Sequence, residues 1–296
     1  MNKTNRDWIT MLSQSLRAMR VSIAAGPVIM AVFLAWTASA GEVWWGAGGT
    51  GDFGTAANWG AAAVLPGSGD SACININGPY PTLSAGNYTV FNLLDGYWAS
   101  GGMTMNGGTL GVVNLFSVGY NGTGANGTFT LNSGNIGGDG GTAPAQLWIG
   151  YQSDPWGGGN GTLNMNGGRI DVQWGLKVGG GANSTVGNLN IAGGQINLLQ
   201  ALTVAPGSKI DISGSGDISL WNVWGVFHTP TGLQAMIDSG LITGNGIVGN
   251  VAITAFDNAH GGTGYALTAV PEPSITALVL MGIGGLSLLR RRNQVK

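Results

Sequence analysis

Charge is scarce in this chain, and so is cysteine. Lys, Arg, Asp and Glu together make up 8% of the 296 residues, and Cys73 is the single cysteine. One thiol can form neither an intrachain disulfide nor a Cys-based zinc site. Low charge beside 44% hydrophobic residues is the reverse of a disordered composition. Prolines number 10, and the 56 glycines do not recur at every third position, which excludes a collagen triple helix. Catalytic signatures are missing too: there is no Gly-x-Ser-x-Gly elbow, His-Glu-x-x-His pair or phosphate loop. Between Gly41 and Val270 stand three cations, Arg169, Lys177 and Lys209, against eleven acids, a balance of −8. That removes the basic footprint of nucleic-acid binding and any pull toward anionic lipid headgroups from this part of the chain.

What is present is a repeat. Gly161-Thr162-Leu163-Asn164-Met165-Asn166-Gly167-Gly168-Arg169-Ile170 recurs from Gly187, from Gly127, from Gly101 and, in degenerate form, from Ser208. The starts at 101, 127, 161, 187 and 208 are spaced 26, 34, 26 and 21 residues apart. Each copy opens with apolar–polar alternation (Phe129 and Leu131, Leu163 and Met165, Leu189 and Ile191, Ile210 and Ile212), the period of a half-buried strand. A Gly corner follows, often after Asn (Asn106, Asn132, Asn166), because both residues accept left-handed backbone cheaply. A second strand carries Ile170 and Val172 or Ile196 and Leu198; a third reads Phe116-Ser117-Val118, Leu147-Trp148-Ile149, Leu176-Lys177-Val178 and Leu202-Thr203-Val204. Helix is excluded by glycines every few residues, each costing about 1 kcal/mol relative to Ala.

Three strands and three corners per copy predict a mainly β fold, a right-handed parallel β-helix of about four to five short coils. A Gly-rich β-sandwich is the alternative. The expected layout is an N-terminal aromatic, turn-rich cap with first strands over 41–100, repeats over 101–222 and a C-terminal cap over 223–269. The 34-residue step places its extra residues in loops at 137–145 and 153–159. Thr231 to Gly240 predicts a short capping helix, and Ile247 to Ile253 with Tyr265 to Thr268 closing strands. Cys73, in the strand-like run Ala72 to Ile76, is expected to be buried as a small hydrophobe.

The two ends differ from the middle. Lys3, Arg6, Arg17 and Arg20 precede the apolar run Val21–Trp36 and then Ala38-Ser39-Ala40. That is the order of a secretory signal peptide over 1–40, cleaved after Ala40 with Ala38 at −3; a retained anchor is the alternative. At the other end, Val270-Pro271-Glu272-Pro273-Ser274 leads into apolar Ile275–Leu289 and then Arg290-Arg291-Arg292. Fifteen apolar residues rise about 1.5 Å each against a core of about 30 Å, short for a bilayer. The arginines would stay on the cytoplasmic side. This 270–296 segment resembles the PEP-CTERM sorting signal, an ordinary tail anchor being the alternative. The resemblance implies recognition by an exosortase near Pro271-Glu272-Pro273, a membrane-held intermediate, and delivery to the cell surface or extracellular matrix of an exopolysaccharide-producing bacterium. Trp44-Trp45-Gly46, Asn58-Trp59 and Pro66-Gly67-Ser68-Gly69-Asp70 in turn resemble the start of autotransporter-type repeat proteins, a likeness that carries no catalytic residue.

The expected function is therefore a non-catalytic structural or adhesive protein of the surface or exopolysaccharide matrix, with no cofactor and no metal site. A carbohydrate-binding module is the second hypothesis: Trp148, Trp156 and Trp174, with Trp98, could stack on sugars, and Trp148 should face outward between inward Leu147 and Ile149. Packing at a corner or cap is the plainer reading of these rings. Pectate-lyase-like catalysis is the third, but Arg169, Lys177 and Lys209 hold unlike positions in their copies, and Asp171 and Asp211 lie on different strands. His228 and His260 fall in the C-terminal cap, and Gly137-Gly138-Asp139-Gly140-Gly141 departs from calcium-repeat order.

Overall fold

The computed structural model describes residues 41–46, 51–75, 78–120, 122, 124–137, 142–151, 158–181, 185–221, 228–258 and 262–271. Met1–Gly41 and Glu42–Lys296 are separate units, and the expected signal peptide lies outside the described residues.

From Glu42 onward the chain is mainly β, and its strands stack in columns. The first strand of each copy is Gly101–Met105, Asn126–Leu131, Asn160–Met165, Gly187–Ile191 or Lys209–Ile212. They pair in parallel at the register the repeat predicts: Gly101 beside Gly127, Gly127 beside Gly161, Gly161 beside Gly187, then Asn188 beside Lys209. A second column contains Asn135–Ile136, Arg169–Val172, Gln195–Leu198 and Asp217–Leu220, again parallel. Gln146–Ile149, Gly175–Val178 and Ala201–Val204 make the third. Upstream, the long strands Asn87–Asp95 and Thr109–Val118 run through both of these columns, with a register shift between Val90 and Asn92.

The stack exceeds the expected 101–222 at both ends. Glu42–Trp44, Ser71–Ile74 and Thr82–Leu83 join it before, and Ile242–Gly244 continues the first column after Lys209–Ile212. These strands lack the Gly-x-apolar-x-apolar start that marks the copies from Gly101, Gly127, Gly161 and Gly187, so that pattern does not find them.

Packing follows the period of two. Phe129, Leu131, Leu163, Met165, Leu189, Ile191, Ile210 and Ile212 are fully buried, each worth ~1.5–3 kcal/mol in apolar transfer. Their polar neighbours point outward and pair vertically: Asn132 Nδ2 donates to Asn106 Oδ1, and Asn166 Nδ2 to Asn132 Oδ1, both at 2.8 Å. The corner beside this ladder requires glycine. Gly168 has φ +78°, and a Cβ there would lie 2.4 Å from the Gly134 carbonyl oxygen of the preceding copy. A side chain would have to break both the left-handed turn and the close stacking.

Both ends are closed. Trp45, Phe53 and Trp59, each at most 2% exposed, pack edge-to-face at 4.9–5.1 Å over the first end. At the other end lie the helix Pro230–Asp238 and the antiparallel pair Val251–Asn258 with Gly262–Ala269, the latter bonded to Asp217–Leu220. The helix is capped two residues before the expected N-cap, Thr231. Thr229 is its N-cap, its hydroxyl accepting from Gly232 N–H at 3.1 Å, and Pro230 takes the first helical position, where its fixed φ fits and no N–H is needed. The expected closing run 247–253 is two pieces, Ile247–Val248 and a strand beginning at Val251, separated by positive-φ Gly249.

Candidate functional site

The outward side of the third column holds Trp44, Cys73, Leu94, Ser117, Trp148 and Lys177 in successive register. Trp148 thus shares a column with Lys177 and faces away from the main core, as the alternation predicts. It is nonetheless only 9% exposed, so the expectation of an exposed ring is corrected. The cause is a second repeat that the sequence reading passed over. Gly96-Tyr97, Gly119-Tyr120 and Gly150-Tyr151 each place a tyrosine just after a left-handed glycine at the same corner. The turn lays the rings over the outer face. Tyr97 and Tyr120 stack at 5.4 Å, Tyr120 and Trp148 at 6.2 Å, and Tyr151 meets Trp148 edge-on at 4.9 Å. Trp44 extends the band at 5.3 Å from Tyr97. Lys177 Nζ sits over Tyr151 at 4.3 Å, and Gln146 Oε1 accepts the Trp148 indole N–H at 2.7 Å.

Beneath the band Cys73 is fully buried. Burial first, then the Glu42 charge, pushes its thiol up to about 12, which leaves it no thiolate character at neutral pH. Tyr97 is likewise pushed up to about 12, by burial and by its 2.9 Å hydrogen bond to Glu42. Trp98 and Trp174 are exposed at 55% each, and neither has a ring contact with Trp148. Trp156 lies outside the described residues.

The charged candidates separate in space. Asp171 belongs to the second column and Asp211 to the first, where Asp211 Oδ1 accepts from Thr243 Oγ1 at 2.6 Å and Gly246 N–H at 2.7 Å. Arg169 pairs with Asp171 at 2.8 Å. Asn197 Nδ2, one strand further along, donates to the same carboxylate oxygen at 2.7 Å. Gln195 Nε2 donates to Asp217 at 3.3 Å and Ser219 Oγ donates to it at 3.2 Å, and burial raises the Asp217 pKa against those bonds. His228 is buried in the cap, its Nε2 placed 2.8 Å from the Gln200 carbonyl and 3.1 Å from Leu202 N; burial lowers its pKa against the Gln200 hydrogen bond. His260 lies outside the described residues, as does Asp139. Among the described residues no group of three or more His, Cys, Asp or Glu is placed to hold a metal ion.

Of the sorting signals, Pro271 is described and exposed; Ala38, Ala40, Glu272, Pro273, Arg290, Arg291, Arg292 and the apolar run 275–289 lie outside the described residues. Among the described residues no helix is long and apolar enough to cross a membrane. The PEP-CTERM protein-sorting motif matches residues 269–293. The chain therefore carries this motif, which marks an exosortase-targeted protein exported through a membrane-anchored intermediate to the cell surface. Neither curated proteins nor solved structures give a match, so the autotransporter-like start of the repeat region remains a resemblance of sequence.

Proposed function

We propose that the mature chain is a non-catalytic structural or adhesive component of the bacterial surface or exopolysaccharide matrix, built as a short right-handed parallel β-helix between two caps. The observation that carries it is the in-register stacking of copies over one continuous apolar core, in a chain tagged for the surface. Parallel pairing favours coils over a β-sandwich, whose sheets are antiparallel. Handedness follows the general preference of parallel crossovers. A stack of this kind presents long, regular outer faces and keeps its bonding internal, which suits a scaffold. The proposed layout keeps the signal peptide at 1–40 and the sorting segment at 270–296, with the stacked repeats reaching beyond 101–222. The second reading is a carbohydrate-binding surface module, favoured by the exposed Trp98 and Trp174.

The test is the mass and location of the protein recovered from native cells, for wild type and for Arg290, Arg291 and Arg292 replaced by Ser. Wild type should start near Gly41, end near Pro271-Glu272-Pro273 and partition to envelope or medium. The triple variant should accumulate unprocessed. Identical maturation of the two, or an intact C-terminus held in the inner membrane, would overturn the matrix assignment.

A further inference from the structure

We propose that the outer face of the second column carries a saccharide cleft formed by Arg169, Asp171, Asn197 and Trp221, with a neutral hexose unit of a polysaccharide as ligand. The inference deepens the matrix reading and rests on it for the source of the glycan. A concavity of about 210 Å³ is lined by Arg169, Asp171, Gln173, Asn197 and Trp221, with Val172 and Leu199 among its apolar walls. That is below the roughly 300 Å³ of sites for drug-sized molecules and suits one sugar ring. A second hollow of about 440 Å³ shares Arg169, Asn197 and Trp221 and continues past Ser219 to Asp257, so a chain of rings can run on.

The polar groups are fixed before any ligand arrives. Arg169 Nε and Asn197 Nδ2 both donate to Asp171 Oδ1, at 2.8 and 2.7 Å. Among the described residues the remaining guanidinium N–H groups of Arg169, the second oxygen of Asp171 and the amide oxygen of Asn197 have no partner. Adjacent donors and acceptors of this kind match adjacent sugar hydroxyls, each of which donates once and accepts. Trp221, edge-on to Phe256 at 5.8 Å, supplies the flat apolar wall that the C–H face of a pyranose packs against. Strands about 4.8 Å apart set the outward groups of successive copies at a repeat close to one ring. Charge selects the class of glycan. Among the described lining residues the one cation, Arg169, is already paired with Asp171, and Asp257 in the extension has no cation beside it, so a polyuronate would meet an uncompensated acid.

The experiment is calorimetric titration of the mature protein with neutral hexasaccharides (β-1,3- and β-1,4-linked glucose, α-1,4-linked glucose, mannose) and with hexagalacturonate. At least one neutral hexasaccharide should bind, hexagalacturonate should not, and Asn197→Ala and Trp221→Ala should each weaken binding by about tenfold. Because Trp221 packs against the cap, Arg169→Gln serves as the exposed variant; it should weaken binding at an unchanged melting temperature. Absence of neutral binding, preference for hexagalacturonate, or binding insensitive to these variants but lost in Trp98→Ala or Trp174→Ala would each overturn the assignment. Surface localisation is read separately, so the cleft can fail while the matrix assignment stands.

Discussion

At Asp95 a single side chain breaks the chemistry of its column. By register it continues the inward series Ile74, Val118, Ile149, Val178 and Val204, all of them at most 7% exposed, and it is itself fully buried. Neither carboxylate oxygen receives a well-formed hydrogen bond. Backbone N–H groups of Thr128 and Gly96 lie near enough to favour the charge, but Gly96 N–H is committed to Ile74 O at 2.8 Å, and burial wins, holding the pKa well above the usual carboxylate range. The folded state therefore keeps a proton that the unfolded chain releases near pH ~3.9. Bound protons are then more numerous in the folded state, so stability is full below that pH and declines as pH rises toward the folded pKa. The decline is at most about 1.4 kcal/mol per pH unit. Asp95→Val should raise the melting temperature, and its advantage should widen from acid to neutral pH. Denaturation free energies across roughly pH 4 to 7 check this; a gap that stays constant with pH would reject the buried-acid account. No periodicity marks Asp95 in the sequence, because an outward acid and an inward one are spelled alike when the strand start is not flagged by Gly.

Between strands, the vertical pairs do what turns cannot: they hold one copy over the next. Asn132 accepts from Asn166 and donates to Asn106, so it bridges three copies through two exposed side-chain hydrogen bonds of 2.8 Å. Each is worth ~0.5–1.5 kcal/mol net. Asn132→Ala should therefore cost about 1–3 kcal/mol, and Asn106→Ala, at one end of the series, about half as much, in equilibrium denaturation. Equal losses at the two positions would mean that the two bonds do not contribute additively and would reject this account. This level of the structure was largely legible. Gly-x-apolar-x-apolar starts fixed the register of the first column, and Asn before the Gly corner marked the ladder. The Gly-Tyr dipeptides at 96–97, 119–120 and 150–151 were equally periodic, yet their meaning depends on which way the turn throws the ring. That direction is a property of the assembled corner, which is why Trp148 reads as exposed in one dimension and is covered in three. The polar cleft was hidden for a similar reason: Asp171, Asn197 and Trp221 are 26 and 24 residues apart in sequence and meet only when the copies are stacked.

For the whole molecule, stacking means that most contacts join a copy to its nearest neighbours, so stability is close to a sum of local terms and the ends matter more than their size suggests. Trp59 is the keystone of the first end: fully buried, it meets Trp45 and Phe53 at 5.1 and 4.9 Å and donates its indole N–H to Phe53 O at 2.8 Å. Trp59→Ala should cost about 3–5 kcal/mol, the usual loss for a buried Trp cut back to Ala. How the loss spreads distinguishes two kinds of stack. If copies are coupled only to neighbours, Trp59→Ala should strip amide-exchange protection from 71–95 while 161–178 keeps most of its own. If the long strands Asn87–Asp95 and Thr109–Val118 weld the first end to the rest, protection should fall alike in both segments. The register shift at Val90–Asn92 is a weak point in that weld, and the C-terminal copies have their own closure in the helix and the antiparallel pair. Local loss is therefore the expected result, read by native-state hydrogen exchange of the two segments. A uniform loss would show that cooperativity runs the full length of the stack and would place the nucleus of stability at the aromatic end.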